Sequence, residues 1–267
     1  MEIDKGRGNS IKILTRVLIE LGDAVGARLS LIEGGNKSNA IPREAEAVVF
    51  VPSKDVKKAK KIVEKWNTTA KAELANVEPD LQIVVEDFAA KKAKVIKKPQ
   101  QSAIYRTIVS LPHGVLKMSA DIPGLVETST NVAIIRTGKN IVSVTTSQRS
   151  SVASEILEAL QTHWAIFSLG GDKVEHTEGY PGWKPNLASA ILKTAKESYK
   201  QLYGREPHVK AIHAGLECGI IGEKYPGMDM VSFGPTLEGV HSPDEKIHID
   251  TVEKFWNFLL GILKNVN

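Results

Sequence analysis

Apolar residues recur at helical spacing almost from the start of the chain. Ile11, Leu14, Leu18, Leu21 and Val25 fall at intervals of 3, 4, 3 and 4, which predicts a helix with one apolar stripe. Asn9 or Ser10 stands before it, and either side-chain oxygen can accept the unpaired N–H groups of a helix start. Leu29 and Leu31 then alternate with Arg28 and Ser30, a strand pattern over residues 27–32. A second strand is expected over residues 45–51, after Pro42 has barred a helix from running through. Val56, Ala59, Val63, Trp66 and Ala70 repeat the helical spacing, and residues 81–86 read as a further strand. Helix, strand, strand, helix, strand is most of a βαββαβ unit, whose opening strand would stand before Lys5. The expectation is a chain that begins inside such a unit.

Residues 88–125 break this rhythm. Lys91, Lys92, Lys94, Lys97 and Lys98 form a basic run before Pro99, followed by a short helix expected around residues 102–110. No aromatic side chain is interleaved for base stacking, so the run reads as a solvated connector rather than a nucleic-acid surface. The element order then repeats in outline. Residues 132–136 and 141–146 flank the turn Thr137-Gly138-Lys139-Asn140 as a hairpin. Ser150 or Ser151 caps a helix carrying Val152, Ile156, Leu157 and Leu160, and residues 173–176 would close this second βαββαβ-like unit. At Tyr180 the texture changes, through Pro181, Gly182, Trp183, Lys184 and Pro185, which marks a domain boundary. A helix over 186–203, strands over 209–212 and 230–233, and a helix over 250–263 complete a βαβ-type layer. The class is therefore α/β, with domains expected at 1–179 and 180–267. The second holds roughly 85 residues, fewer than an ordinary layered α/β domain uses.

Bulk composition narrows the partners. With 35 Lys+Arg against 31 Asp+Glu, the net charge of +4 does not call for nucleic acid, and the reading is no nucleic-acid partner. No apolar run approaches the ~20 residues a membrane helix needs, so no membrane partner is expected either. The opening MEIDKGRGNS has no apolar signal-peptide core, and the one cysteine, Cys218, has no partner for an intrachain disulfide. Both fit a cytoplasmic protein.

Candidate chemistry is sparse. His241, in Gly239-Val240-His241-Ser242-Pro243-Asp244-Glu245, would sit on a loop beyond a strand end, where open α/β sheets collect ligands. Imidazole suits Zn²⁺, but a single histidine makes no site, and an ordinary surface-loop histidine is the alternative. His213 and Glu217 stand four apart near a second strand end, placed to hold the polar end of a substrate or to satisfy loop backbone. Cys218, between Glu217 and Gly219, reads as a small buried hydrophobe rather than a nucleophile. Arg149 ends an alternating strand just before a helix, where a guanidinium can fork onto a carboxylate or lie exposed. Asn39 lies in the loop between two strands, its amide able to donate to a carbonyl or to stabilise a turn. Gly34-Gly35 lacks the Lys and Ser/Thr of a phosphate loop.

The stretches MEIDKGRGNS, GGNKSNAIPREA, TTSQRSS, HTEGYPGWKPN, AIHAGLECG and GPTLEGVHSPDE together resemble the aminoacyl-histidine dipeptidases, carnosine-cleaving members of the two-metal peptidase superfamily. The resemblance runs from residue 1 to about 250. It implies a lid domain inserted in an α/β catalytic domain that holds two zinc ions, and hydrolysis of Xaa-His dipeptides. On this sequence it implies His241 as a ligand of one zinc, Arg149 as the lid group for the substrate carboxylate and Asn39 as a lid group near the scissile carbonyl. It implies Gly215 and Glu217 at the substrate's amino end, and a possible homodimer. Gln148 stands where an apolar residue is expected. The resemblance also implies a catalytic half ahead of Met1, holding the other metal ligands and a water-activating Glu. The expectation is therefore a lid plus the C-terminal part of a catalytic domain, inactive alone. A stand-alone binding or dimerisation module is the alternative.

Overall fold

A computed structural model describes residues 3–88, 94–177, 179, 181–183, 186–210, 217–239 and 245–266. The chain divides into two compact units, Met1–Glu178 and Gly179–Asn267.

The first unit is a sheet backed by helices. Its elements are α1 (Ser10–Val25), β1 (Arg28–Gly34), β2 (Ala45–Phe50), α2 (Val56–Glu73), α3 (Lys98–Ser110), β3 (Gly114–Met118), β4 (Val126–Thr137), β5 (Val142–Ser150) and α4 (Ala153–Leu169). The strands form one antiparallel five-stranded sheet in the order β2-β1-β4-β3, with β5 also paired to β4. The mixed helix-and-sheet class holds. The two expected halves, however, share this single sheet, joined where Gly34 pairs with Ile135. Two expected strands do not form. Residues 81–86 are irregular and join no ladder, and the Ile83 N–H is taken by Asn67 Oδ1 of α2 at 2.9 Å instead. Ile83 packs on the core while Val84 and Val85 are exposed, and the Ile83 backbone donor goes to a side chain. Residues 173–176 are likewise irregular.

The amphipathic stripe of α1 serves two apolar clusters. Ile11 and Leu18 pack with Leu29, Ile32, Ile108, Val132 and Ile135. Val17, Leu21 and Val25 pack with Ala59, Ile62 and Val63 of α2. The N-terminus of α1 is tied down by Asn9, which is 4 % exposed. Its Oδ1 accepts from the Lys12 N–H at 3.1 Å, while its Nδ2 donates to the Val132 carbonyl at 2.8 Å and to His113 Nδ1 at 3.3 Å. Beside it, Lys12 Nζ donates to the Ile108, Val109 and Leu111 carbonyls at the end of α3. That is a favourable place for a cation, because those carbonyls lack helical partners.

His113 makes this knot acid-sensitive. Burial, with the Lys12 charge beside it, pushes its pKa from 6.5 down to about 4. A neutral imidazole is needed because Nδ1 accepts from Asn9. The folded state therefore binds fewer protons than the unfolded chain between pH ~6.5 and ~4. Stability is full above that window and falls as the pH drops through it, by about 3 kcal/mol in total. The thermal midpoint of the first unit, followed from pH 7 to pH 4, is expected to fall with this slope. His113→Gln, which cannot be protonated, is expected to flatten the profile; an unchanged slope would contradict the assignment.

The second unit packs α5 (Ala190–Tyr203) against α7 (Asp250–Asn265), with α6 (Glu217–Lys224) and a small antiparallel pair, β6 (Leu237–Glu238) and β7 (Lys246–Ile247). Residues 230–233 are irregular rather than a strand. The expected strand over 209–212 does not form at 209–210, and the rest of it lies outside the described residues. Phe233 joins an aromatic cluster with Tyr199, Phe255 and Phe258. Lys254 Nζ sits over the Tyr199 and Tyr203 rings. Tyr199 of α5 and Phe255 of α7 thus belong to one aromatic cluster, linked through Phe258 and Phe233. A different stripe of α7, at Val252, Trp256, Leu260 and Leu263, stands exposed.

Candidate functional site

Strand pairing puts four polar residues on one face of two neighbouring strands. Ser129 pairs with Arg149 and Asn131 with Ser147, so all four side chains alternate onto the same side of β4 and β5. They line a cleft of about 970 Å³. Its other walls are the start of α1 from Gly8 and Ser10 to Leu14, the loop Ser38–Ala40 with Ile41 and Arg43, and the irregular segment Glu78–Val84. Asn39 lies on the loop wall and Arg149 on the strand wall. The structure thus brings these two sequence-predicted residues to a single cavity within the first unit. Both charge signs line it, with Arg7, Arg43 and Arg149 alongside Glu44, Glu46, Glu78 and Asp80.

Burial sets the character of the groups. Arg149 is half-buried, and desolvation lowers its pKa from the ordinary arginine value, though it stays cationic at neutral pH. A partly desolvated guanidinium holds a carboxylate more strongly than a fully hydrated one. Asn39 is exposed at the cleft wall.

The loop bearing Asn39 is held from several sides. The Arg136 guanidinium donates to the Gly34 carbonyl at 2.9 Å and also to that of Gly35. Gly35 has φ +64°, and a Cβ there would lie 1.9 Å from the Ala133 carbonyl oxygen. A Cβ on Gly34 would lie 2.8 Å from Ala45 of β2 and from Ile11 of α1, so close packing explains both glycines without a ligand phosphate. The Ser10 N–H donates to the Pro42 carbonyl at 3.2 Å, and Asn131 Nδ2 donates to the Ala40 carbonyl at 2.7 Å.

Gln148 points away from this face. Its Nε2 donates to Thr146 Oγ1 at 2.8 Å and to Thr130 Oγ1 at 3.4 Å. Thr130 in turn meets Nε2 of His163 at 2.9 Å, whose Nδ1 lies 2.7 Å from the Ala159 carbonyl. Since that carbonyl only accepts, Nδ1 carries the proton, Nε2 accepts, and Thr130 donates to it. A glutamine replaces an apolar residue at 148 because it continues a buried polar chain under the sheet. Burial pushes the His163 pKa down, against a smaller opposing effect of the Ala159 bond, in keeping with a neutral ring.

Other expected site residues fall elsewhere. Gly215 and His241 lie outside the described residues, as does His213. Glu217 opens α6 in the second unit and is exposed. Cys218 beside it has its thiol pKa raised by burial and by the Glu217 carboxylate, so it is not an activated nucleophile. Among the described residues no three His, Cys, Asp or Glu side chains stand close enough to hold a metal ion, and no helix is long and apolar enough to cross a membrane. The described donors therefore do not make a zinc site.

Sequence reading missed Ser129, Asn131 and Ser147. A signal existed: Glu127-Thr128-Ser129-Thr130-Asn131 is a polar run, yet all five are buried, in a strand central to the sheet. Polar residues are expensive inside unless they are used.

Comparison with known proteins follows the same outline. Residues 1–78 match the family of the peptidase dimerisation domain. Over 99 % of its length the chain is 37 % identical to the cytosol non-specific dipeptidase of Escherichia coli (strain K12), of which it covers 54 %. It superposes with a TM-score of 0.89 on the crystal structure of aminoacylhistidine dipeptidase from Vibrio alginolyticus, at 37 % identity, covering all of this chain and 54 % of that one. The chain thus spans about half the length of these relatives, and its resemblance to dipeptidases extends over essentially all of it.

Proposed function

We propose that this chain supplies the substrate-capping lid and a C-terminal catalytic segment of a cytoplasmic metallo-dipeptidase, with residues 1–179 as lid and 180–267 as catalytic segment. The observation that carries the reading is the convergence of Arg149 and Asn39 on one cleft of mixed charge. That lining suits a zwitterionic dipeptide. Arg149 would fork onto the terminal carboxylate, and Asn39 would donate to the scissile carbonyl. Gly215 and Glu217 would face the amino end. The preferred substrate would end in histidine, as in β-alanyl-histidine.

His241 would be one zinc ligand; among the described residues no three His, Cys, Asp or Glu side chains gather to hold a metal. Bound zinc would polarise the carbonyl and acidify the attacking water. This chain's own side chains bind and orient. The protein is accordingly expected to bind β-alanyl-histidine without hydrolysing it. Calorimetric titration paired with a histidine-release assay tests this. Chelator-sensitive histidine release by the purified chain would overturn the inactivity, and failure to bind would overturn the lid assignment.

A second reading rests on the match of residues 1–78 to a dimerisation domain. It has the first unit forming a homodimer, and light scattering after size exclusion would read a doubled mass.

A further inference from the structure

We infer that Asn131 is a positioning residue, which fixes the loop carrying Asn39 so that its amide reaches the cleft at a set distance from Arg149. This deepens the reading of the cleft as a dipeptide site and rests on it. Asn131 sits on β4, paired with Ser147 two residues from Arg149. Its Nδ2 donates to the carbonyl of Ala40, the residue next to Asn39. One side chain therefore ties the loop wall of the cleft to the strand wall.

The orientation of the amide is unambiguous, because a carbonyl can only accept and the atom facing Ala40 must be the nitrogen. Asn131 Oδ1 is then left buried with no hydrogen-bond partner, in a residue 8 % exposed. Burying an unsatisfied oxygen is unfavourable, and a small side chain in its place would avoid that cost. An asparagine here is poorly explained by stability. It is explained by the single bond it makes to the loop. The loop's two ends are anchored separately, at Gly34 and Gly35 by Arg136 and at Pro42 by Ser10. Ala40 is the contact nearest Asn39, so the geometry points to Asn131 as the group that sets where Asn39 stands. Such support from behind a binding group holds it near its productive position.

The test uses ¹⁵N relaxation and β-alanyl-histidine titration on the whole chain. For Asn131→Ala, the thermal midpoint is expected to stay close to the parent's, because the orphaned oxygen leaves together with the lost bond. Backbone order at residues 37–40 is expected to fall from about 0.85 to below about 0.6. Affinity for the dipeptide is expected to drop about tenfold. Asn39→Ala is expected to lose affinity with loop order intact, which a merely structural role for Asn131 would not reproduce. If Asn131→Ala fails to fold, Asn131→Ser, too short to reach Ala40, is read in the same way. Unchanged loop order would overturn the inference, as would lost order with affinity intact. A parent chain that binds no dipeptide, but whose loop loosens in the variant, would uphold the clamp and remove the substrate reading.

Discussion

Replacing Arg149 by methionine is expected to weaken binding of β-alanyl-histidine by roughly 10- to 100-fold, the largest loss of any single change in the cleft. A hydrogen-bonded pair with a charged partner contributes about 1.5–3 kcal/mol, and 1.4 kcal/mol is a factor of ten. Arg149 is half-buried at the cleft wall, so its field is less screened than that of an exposed arginine. Methionine keeps much of the stem's packing while removing the charge. The loss belongs to the carboxylate, so β-alanyl-histidinamide should bind the parent weakly and be almost indifferent to the substitution. Calorimetric titration of both ligands against both proteins closes the cycle. Equal losses for the acid and the amide would show that Arg149 acts on the fold and not on the ligand. Arg149→Lys is expected to restore little, because an ammonium lacks the two-pronged geometry.

Gly35→Ala is expected to destabilise the first unit by about 2–5 kcal/mol. A left-handed backbone costs a residue with a Cβ about 1–2 kcal/mol, and overpacking against fixed structure adds about 1–3 kcal/mol. Here both apply, since φ is +64° and the new methyl would meet the Ala133 carbonyl oxygen at 1.9 Å. That oxygen belongs to β4, paired on one edge with β5, and cannot move as a side-chain end would. The displacement would pass to the loop bearing Asn39. Chemical denaturation measures the first effect and dipeptide affinity the second. Gly124→Ala, which shares a positive φ but would meet nothing within 4 Å, separates strain from collision and should cost only about 1–2 kcal/mol.

Local structure was readable in the sequence where one element answers one pattern. The 3-4-3-4 spacing from Ile11 to Val25 reproduces α1 because a single face of that helix is buried, and Asn9 caps it as its side chain permits. The spacing from Val56 to Ala70 works for the same reason. It failed where a pattern has two outcomes. Residues 81–86 are rich in β-branched residues like a strand, but such residues do not supply a ladder partner, and Asn67 takes the donor that a ladder would use. The expected strand over 230–233 fails similarly: Phe233 is apolar because it joins aromatic rings of α5 and α7. Gln148 looked anomalous because its partners, Thr130 and Thr146, meet it only once β4 and β5 pair and α4 covers them.

The cleft was legible only as separate residues. Asn39 and Arg149 are 110 positions apart, and nothing periodic links them. They meet because β1 pairs with β4 at Gly34, which sends the following loop back across the strand carrying Asn131. Ser129 and Ser147 join them through register alone. A polar run inside a strand was the available sign. Its meaning depended on knowing that β4 is central, which is a property of the whole sheet.

The most direct measurement is a ¹H–¹⁵N titration of the unsubstituted chain with β-alanyl-histidine, following side-chain amides and guanidinium Nε–H groups as well as the backbone. Saturable shifts centred on Asn39, Asn131, Ser129, Ser147 and Arg149 are the predicted result. Shifts confined to the second unit, or none at millimolar ligand, would contradict the account.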